Sequence, residues 1–264
     1  MDNNLFLASF ERELANQLSK IKTYSKNLKD GVSYALLSGG KRIRPLLTHS
    51  VASLFDTYPD IMNYAICLEL IHNYSLVHDD LPELDNDLYR RDRLTVHAKF
   101  GHNYGLLVGD ALLNLSFSLA LNDILKNNGN INFIKAYNHL FLLSGIEGMI
   151  DGQSLEIEDN SLANLNIIHK LKTSNLFKAA MMGPVIMLDK NEIRNDIEFL
   201  AENLGIIFQI NDDLKDNDGY SLYKSEISIK KNEINDNINK VIDKFNKEKL
   251  NTLPLKTIVE KIIK

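Results

Sequence analysis

The sequence predicts an all-α fold, on three observations. Apolar residues recur at three- and four-residue steps along most of the chain, the period of a helix with one buried face. Alternating apolar and polar runs long enough for strands are absent. Only five prolines interrupt 264 residues. Together these predict about ten helices joined by short loops.

Taken in order, Leu5, Phe6, Phe10, Leu14, Leu18 and Ile21 mark the first helix. Breaks are expected at Ser38-Gly39-Gly40 and at Asp56-Thr57-Tyr58-Pro59-Asp60. Ile66-Cys67-Leu68-Glu69-Leu70-Ile71 is almost wholly apolar and reads as a buried helix. Leu106, Leu107, Ala111, Leu112, Leu115, Leu119 and Ile124 mark another, stopped at Asn127-Asn128-Gly129-Asn130. A further break is expected at Met182-Gly183-Pro184, a buried helix at Leu204-Gly205-Ile206-Ile207-Phe208, and a turn at Asn217-Asp218-Gly219. Beyond Asp216 the composition turns to Lys, Asn, Asp and Ile. Ile227, Ile234, Ile238, Val241, Ile242 and Phe245 still keep a helical stripe, as in a polar surface helix. No long Pro/Gly/Ser linker divides the chain, so residues 1–264 are expected to form a single domain.

Apolar residues at 44% and charged residues at 25% are ordinary for a soluble globular protein. A net charge of −5 gives no general attraction to nucleic acid or an anionic membrane, so any basic site is local. The single cysteine, Cys67, excludes an intrachain disulfide and a cysteine zinc site. Its apolar surroundings suggest a buried, inert thiol in a reducing cytoplasm. MDNNLFLASFEREL has no signal-peptide pattern, and no stretch approaches about 18 uninterrupted apolar residues, so no membrane span is expected.

Two acidic clusters carry the chemistry. Asp79-Asp80 and Asp85 follow the apolar run at 66–71, and Asp212-Asp213 and Asp216 follow that at 204–208. Carboxylates at the end of a core helix need neutralising, and two matched clusters suggest divalent cations sharing a highly charged ligand such as a diphosphate. Asp212 and Asp216 lie four apart, one helical turn, with Asp213 alongside. Mg²⁺ takes one or two carboxylates, several waters and substrate phosphate oxygens, which suits such a set. A lone DDxxD, however, is more often a solvated helix end. In the first cluster Asp79 and Asp85 lie six apart, a spacing that a regular helix turns well off one face. Pro82 lies in the gap, and a helix end or bulge there would return Asp85 toward Asp79. Those two are taken as the main ligands, with Asp80 and Asp87 as an outer set.

Cationic residues stand where a diphosphate needs them. Lys41 and Arg44 follow the flexible Gly39-Gly40 pair, Arg90-Arg91 follows the first acidic cluster, and His72 lies two helical turns before Asp79. Taken singly, each is more often a surface charge or a satisfied core histidine. Their joint presence points to phosphate binding. A nucleotide-type phosphate loop is excluded, because GxxxxGK[ST] is absent and no strand precedes Gly39.

GGKRIRP at 39–45, HNYSLVHDDLPELDNDLYRRDRLTVHAKFG at 72–101, GDALL at 109–113, DGQSLE at 151–156, KTSNLF at 172–177 and FQINDDLKD at 208–216 occur in this order. As a set they resemble the trans-type (E)-isoprenyl diphosphate synthases, specifically the bacterial farnesyl diphosphate synthase group. The resemblance implies a helical bundle around a deep central cavity, the isoprenoid synthase fold, usually as a homodimer. It implies two or three Mg²⁺ ions, with Asp79, Asp80 and Asp85 at one metal site and Asp212, Asp213 and Asp216 at the other. Lys41, Arg44, His72 and Arg91 would hold isopentenyl diphosphate, and Arg90, Lys172 and Lys224 the allylic diphosphate. Thr173 and Gln209 would turn oxygens toward an allylic cation. The implied reaction joins isopentenyl diphosphate to dimethylallyl or geranyl diphosphate, 1'-4 head to tail, giving farnesyl diphosphate. Tyr74 and Ser75, just before Asp79, would set product length, an aromatic there going with the C15 product. Tyr74 as an ordinary core residue stays open.

The pattern departs from the family after Asp216, where NDGYSLYKSEIS is shorter than the usual loop and only Lys224-Ser225 stands in for a Lys-Ser pair. Asp151 and Glu156 replace the more usual Gly and Asp around Gln153, and the usual basic tail is absent after Ile262-Ile263-Lys264. A geranyl or geranylgeranyl synthase, a non-catalytic partner subunit and a terpene cyclase are the competing readings. Two separate basic sets speak against a cyclase, which needs no isopentenyl diphosphate pocket.

Overall fold

A computed structural model describes residues 2–159, 162–216 and 224–263, without the side chains of 162–163, 212–216 and 224–230. In chain order the helices are α1 (Asn3–Ser19), α2 (Lys26–Leu37), α3 (Ile43–Ala52), α4 (Met62–Asp79), α5 (Val96–Phe100), α6 (His102–Lys126) and α7 (Ile131–Ser144). They continue as α8 (Met149–Glu158), α9 (Leu162–Ile168), a π-helical stretch (His169–Ser174), α10 (Asn175–Met187), a 3₁₀ turn (Asn191–Ile193), α11 (Arg194–Asp216), α12 (Lys224–Lys247) and α13 (Leu253–Ile263). Two short strands, β1 (Tyr89–Arg90) and β2 (Arg93–Leu94), pair antiparallel. The fold is thus all-α, as the sequence predicts.

The chain divides into two compact units, one of Asn4–Arg42 with Met62–Asn128, the other of Met1–Asn3, Ile43–Ile61 and Gly129–Lys264. In the first unit, α1 buries Phe6, Phe10, Leu14 and Leu18, one residue per turn. Ser25 caps α2 by accepting from the Leu28 amide. Helix α4 is buried on nearly every side between Tyr64 and Val77 and packs against α6. Cys67 is buried there, its thiol donating to Ser116 O.

Helix α6 corrects the predicted stripe. Its buried face is Gly105, Val108, Gly109, Leu112, Ser116, Leu119 and Ala120, while Leu106 and Leu107 are exposed. Small residues take the inner face because α4 comes so close: a Cβ on Gly109 would enter the His78 ring. The outward apolar residues make α6 long and apolar enough to cross a membrane, although only 33% of its most apolar window is buried.

In the second unit, α10 packs against α3, α7 and α11, and α13 packs on α3. The break expected at Met182-Gly183-Pro184 does not occur, and α10 runs through to Met187. Proline has no N–H for the carbonyl of Ala180 one turn back, and Thr48 Oγ1 donates to that oxygen instead at 2.9 Å. An outside donor thus lets the helix continue. On α12, Ile234, Ile238, Ile242 and Phe245 are buried against a polar outer face, as the stripe predicts. Ile227 and the turn expected at 217–219 lie outside the described side chains and residues.

Candidate active site

The first acidic cluster forms where α4 stops. Asp80 and Leu81 still donate backward to Leu76 O and His78 O. The chain then folds over, with the Asp85 amide donating to Asp79 O at 2.9 Å and the Asn86 amide to Leu81 O at 3.0 Å. Asn86 closes the turn at φ 55°. This backbone bond brings Asp79 and Asp85 side by side despite their six-residue spacing. Two carboxylates with hard oxygen donors fit Mg²⁺ completed by phosphate and water. Among the described residues, no group of three His, Cys, Asp or Glu side chains is gathered into an all-protein metal site.

Asp80 has a different partner. It is buried, Arg90 Nε donates to its Oδ1 at 2.6 Å, and Arg90 Nη2 forms an ion pair with the same oxygen at 2.6 Å. Asp87 stands 3.5 Å from the same guanidinium. Burial pushes the Asp80 carboxyl above the usual range, and the Arg90 hydrogen bond and charge draw it partly back. Burial lowers the Arg90 guanidinium, but Asp80, Asp87 and Asp79 together hold it above its ordinary value. Arg90 thus ties Asp80 and Asp87 into one ionic group beside Asp79.

The β1–β2 hairpin aims the two arginines. Its turn residues, Arg91 and Asp92, have φ 54° and 60°, the left-handed pair of a type I′ turn without the usual Asn-Gly. Arg90 faces Asp80, while Arg91 Nη1 donates to Gly39 O. A Cβ on Gly40, at φ 149°, would be strained and would lie 2.7 Å from Arg91 Nη1, displacing the guanidinium. Burial lowers the Arg91 pKa, an effect Glu69 opposes. Lys41 is exposed on the same glycine turn, and His72 is half-buried on α4.

Tyr74 is buried one turn before His78, their rings edge to face at 5.9 Å. Burial and the Asp79 charge push its phenol up to about 12. Ser75, half-buried, donates to His72 O at 3.0 Å.

In the other unit, the π-helical stretch carries Lys172 and Thr173. Single π turns inside helices often mark functional positions. Thr173 Oγ1 donates to Gln209 Oε1 on α11 at 2.9 Å, and Lys172 pairs with Glu156 on α8. Glycines permit both approaches. A Cβ on Gly152 would stand 2.6 Å from the Lys172 amide nitrogen, and one on Gly205 would stand 2.7 Å from Ser174 Cα. Arg44 is buried in the first turn of α3, its Cζ 5.2 Å from the centre of the Phe177 ring. Asp212, Asp213 and Asp216 belong to the last turns of α11, the first of them one turn after Gln209. Lys224 opens α12. The side chains of these four lie outside the described residues.

Sequence reasoning missed the carboxylates behind the cations. Glu69 had a visible signal, a lone charge inside an apolar run. Glu11 had none, because it is one charge among several on α1.

A polyprenyl synthetase family model matches residues 25–248, running through both units. The farnesyl diphosphate synthase of Micrococcus luteus is 38% identical over 208 residues, 76% of this chain and 70% of that protein. That of Buchnera aphidicola is 35% identical over 216 residues, 78% of this chain and 75% of that protein. A solved geranyltransferase from Legionella pneumophila superposes with a TM-score of 0.91 at 26% identity, covering 99% of this chain and 95% of that one.

Proposed function

This chain belongs to the polyprenyl synthetase family, and on that premise we propose that it is a farnesyl diphosphate synthase. It joins isopentenyl diphosphate to dimethylallyl and then geranyl diphosphate, 1'-4 head to tail. The observation that carries this reading is the turn that sets Asp79 beside Asp85, with the Arg90–Arg91 hairpin following directly. It groups hard carboxylate donors with cations, as a metal-bound diphosphate requires.

Asp79 and Asp85 would hold Mg²⁺ at one metal site, and Asp212, Asp213 and Asp216 at another, for two or three ions. When bound, Mg²⁺ draws charge from the departing diphosphate. Arg90, Lys172 and Lys224 hold that diphosphate and favour its departure, since they meet more negative charge as the bond breaks. Asp80 and Asp87 keep Arg90 charged and oriented, which makes Asp80 a support as well as an outer donor. Thr173 and Gln209, already hydrogen-bonded to each other, present oxygens to the allylic cation without capturing it. Lys41, Arg44, His72 and Arg91 orient isopentenyl diphosphate so that its double bond attacks, and the released diphosphate takes the final proton. Tyr74, buried before Asp79, bounds the growing chain and favours C15.

The same reading makes the protein a single-domain, cytoplasmic homodimer, with Cys67 kept reduced. Leu106, Leu107, Phe117, Leu121 and Leu125 of α6 are exposed, and a second copy covers them. A membrane is the poorer cover. Asp110 alone would cost about 3 kcal/mol at a bilayer centre.

The test is incorporation of labelled isopentenyl diphosphate into geranyl diphosphate with and without Mg²⁺. A C15 product formed only with Mg²⁺ is expected. Folded protein that binds both substrates yet forms no product would reject the reading.

A further inference from the structure

The turn bearing Lys41 is held in an unusual backbone conformation. Gly39, Gly40 and Arg42 have φ of 84°, 149° and 46°. Glycine accepts such angles freely, but arginine keeps them only when its surroundings over-determine it. Here they do. Arg42, with a side chain 1% exposed, reaches three different elements. Its Nε donates to Glu11 Oε1 on α1 at 2.7 Å and its Nη1 to Glu69 Oε1 on α4 at 2.7 Å. Its Nη2 donates to Leu36 O at the end of α2 at 2.6 Å and to Glu11 Oε2 at 3.3 Å. The Leu36 bond satisfies a carbonyl left open by the end of the helix. Glu69 is itself held, accepting from Asn73 Nδ2 at 3.1 Å.

Glu69 lies one turn before His72 on the helix that ends at Asp79. The Arg42–Glu69 bond therefore sets the glycine turn against the helix that carries those two residues. Arg91 seals the same turn by donating to Gly39 O. Burial lowers the Arg91 pKa, Glu69 opposes that effect and Arg42 adds to it, so what Arg42 supplies to Arg91 is position rather than charge.

We propose that Arg42 is a positioning residue for isopentenyl diphosphate: its buried guanidinium fixes the Gly39–Gly40 turn on α4, so that Lys41 and Arg91 present their charges at set positions. This rests on the function proposed above. Arg42 itself touches no substrate. A purely structural ion pair would change the amount of folded protein, lowering activity equally toward both substrates. A positioning residue changes affinity for one of them.

The experiment compares wild type, Arg42→Lys and Glu11→Gln by steady-state kinetics with each substrate varied in turn, alongside thermal melts. Lysine reaches only one of the three anchors at a time. Misplacement by about 1 Å costs up to ~100-fold, so Arg42→Lys should raise KM for isopentenyl diphosphate by about 10- to 100-fold. In both variants the KM for geranyl diphosphate and kcat at saturation should stay unchanged. Glu11 has a side chain 40% exposed, so its glutamine variant folds; it should move the same KM by about threefold and decides the matter if Arg42→Lys does not fold. An unchanged KM for isopentenyl diphosphate in an active enzyme, or a parallel loss toward both substrates, overturns the inference. A wild type that condenses nothing rejects the function instead, a result the wild-type arm shows separately.

Discussion

Replacing Gly152 by alanine tests the geometry behind Lys172. The added Cβ would stand 2.6 Å from the Lys172 amide nitrogen and 3.1 Å from the Leu171 carbonyl carbon, where ordinary contact begins at 3.4 Å. Leu171 Cβ, at 2.9 Å, is fixed to the same backbone, so no side chain can swing aside. The π-helical stretch must then retreat from α8 by about 0.8 Å, beyond the ~0.5 Å within which a catalytic group must be held. Lys172 separates from Glu156, and Thr173 moves relative to Gln209. Misplacement on this scale costs about 10- to 100-fold in kcat. Folding changes less. Overpacking costs about 1–3 kcal/mol, and alanine returns about 1 kcal/mol of helix propensity. Single-turnover condensation rates, paired with a thermal melt, provide the assay. A variant with wild-type kcat would refute the claim that the Gly152 contact sets the position of Lys172.

Two further outcomes are expected. Tyr74→Ala should lengthen the main product by one or more isoprene units, read by chromatography of the dephosphorylated alcohols; an unchanged distribution would return Tyr74 to the ordinary core. His139 offers a stability test. Burial, aided by Lys178 and Arg194, lowers its imidazole to about 4, and its Nε2 has no hydrogen-bond partner among the described residues. The folded form therefore binds its proton less readily than the unfolded chain, so stability is full above about pH 6.5 and falls as pH drops toward 4. Screening of this half-buried ring leaves roughly 2 kcal/mol of that effect. His139→Gln should flatten the melting profile between those values. Equal slopes in both proteins would contradict the assignment.

Much of this was legible because helical period and motif order are local signals. Phe6, Phe10, Leu14 and Leu18 fix one face of α1 by spacing alone, and Pro82 with the six-residue gap foretold the turn that joins Asp85 to Asp79. What stayed hidden depends on partners far along the chain. Pro184 reads as a break until Thr48, more than a hundred residues earlier, supplies the missing donor. The hairpin at 89–94 is invisible because Arg91 and Asp92 adopt a turn that usually calls for Asn-Gly. On α6 apolarity does not mark the buried face, because close packing selects glycine there, against Leu81 and His97 of α5 at Gly105 and against His78 of α4 at Gly109. The π-helical stretch carries no spacing signal, since nothing in KLKTS distinguishes it from an α-helix. Arg42 stood inside a motif already read for Lys41 and Arg44. Only its distances to Glu11 and Glu69 separate a support from a ligand.

If both aspartate clusters serve one metal-dependent ionisation, as proposed, the condensation rates of wild type, Asp79→Ala and Asp212→Ala at saturating Mg²⁺ and substrates will show it. Placing charge to meet the departing diphosphate contributes to the transition state more than to substrate binding. Each single variant should therefore lose at least about 100-fold in kcat while still folding and binding geranyl diphosphate. Near-wild-type turnover in either variant would contradict the account.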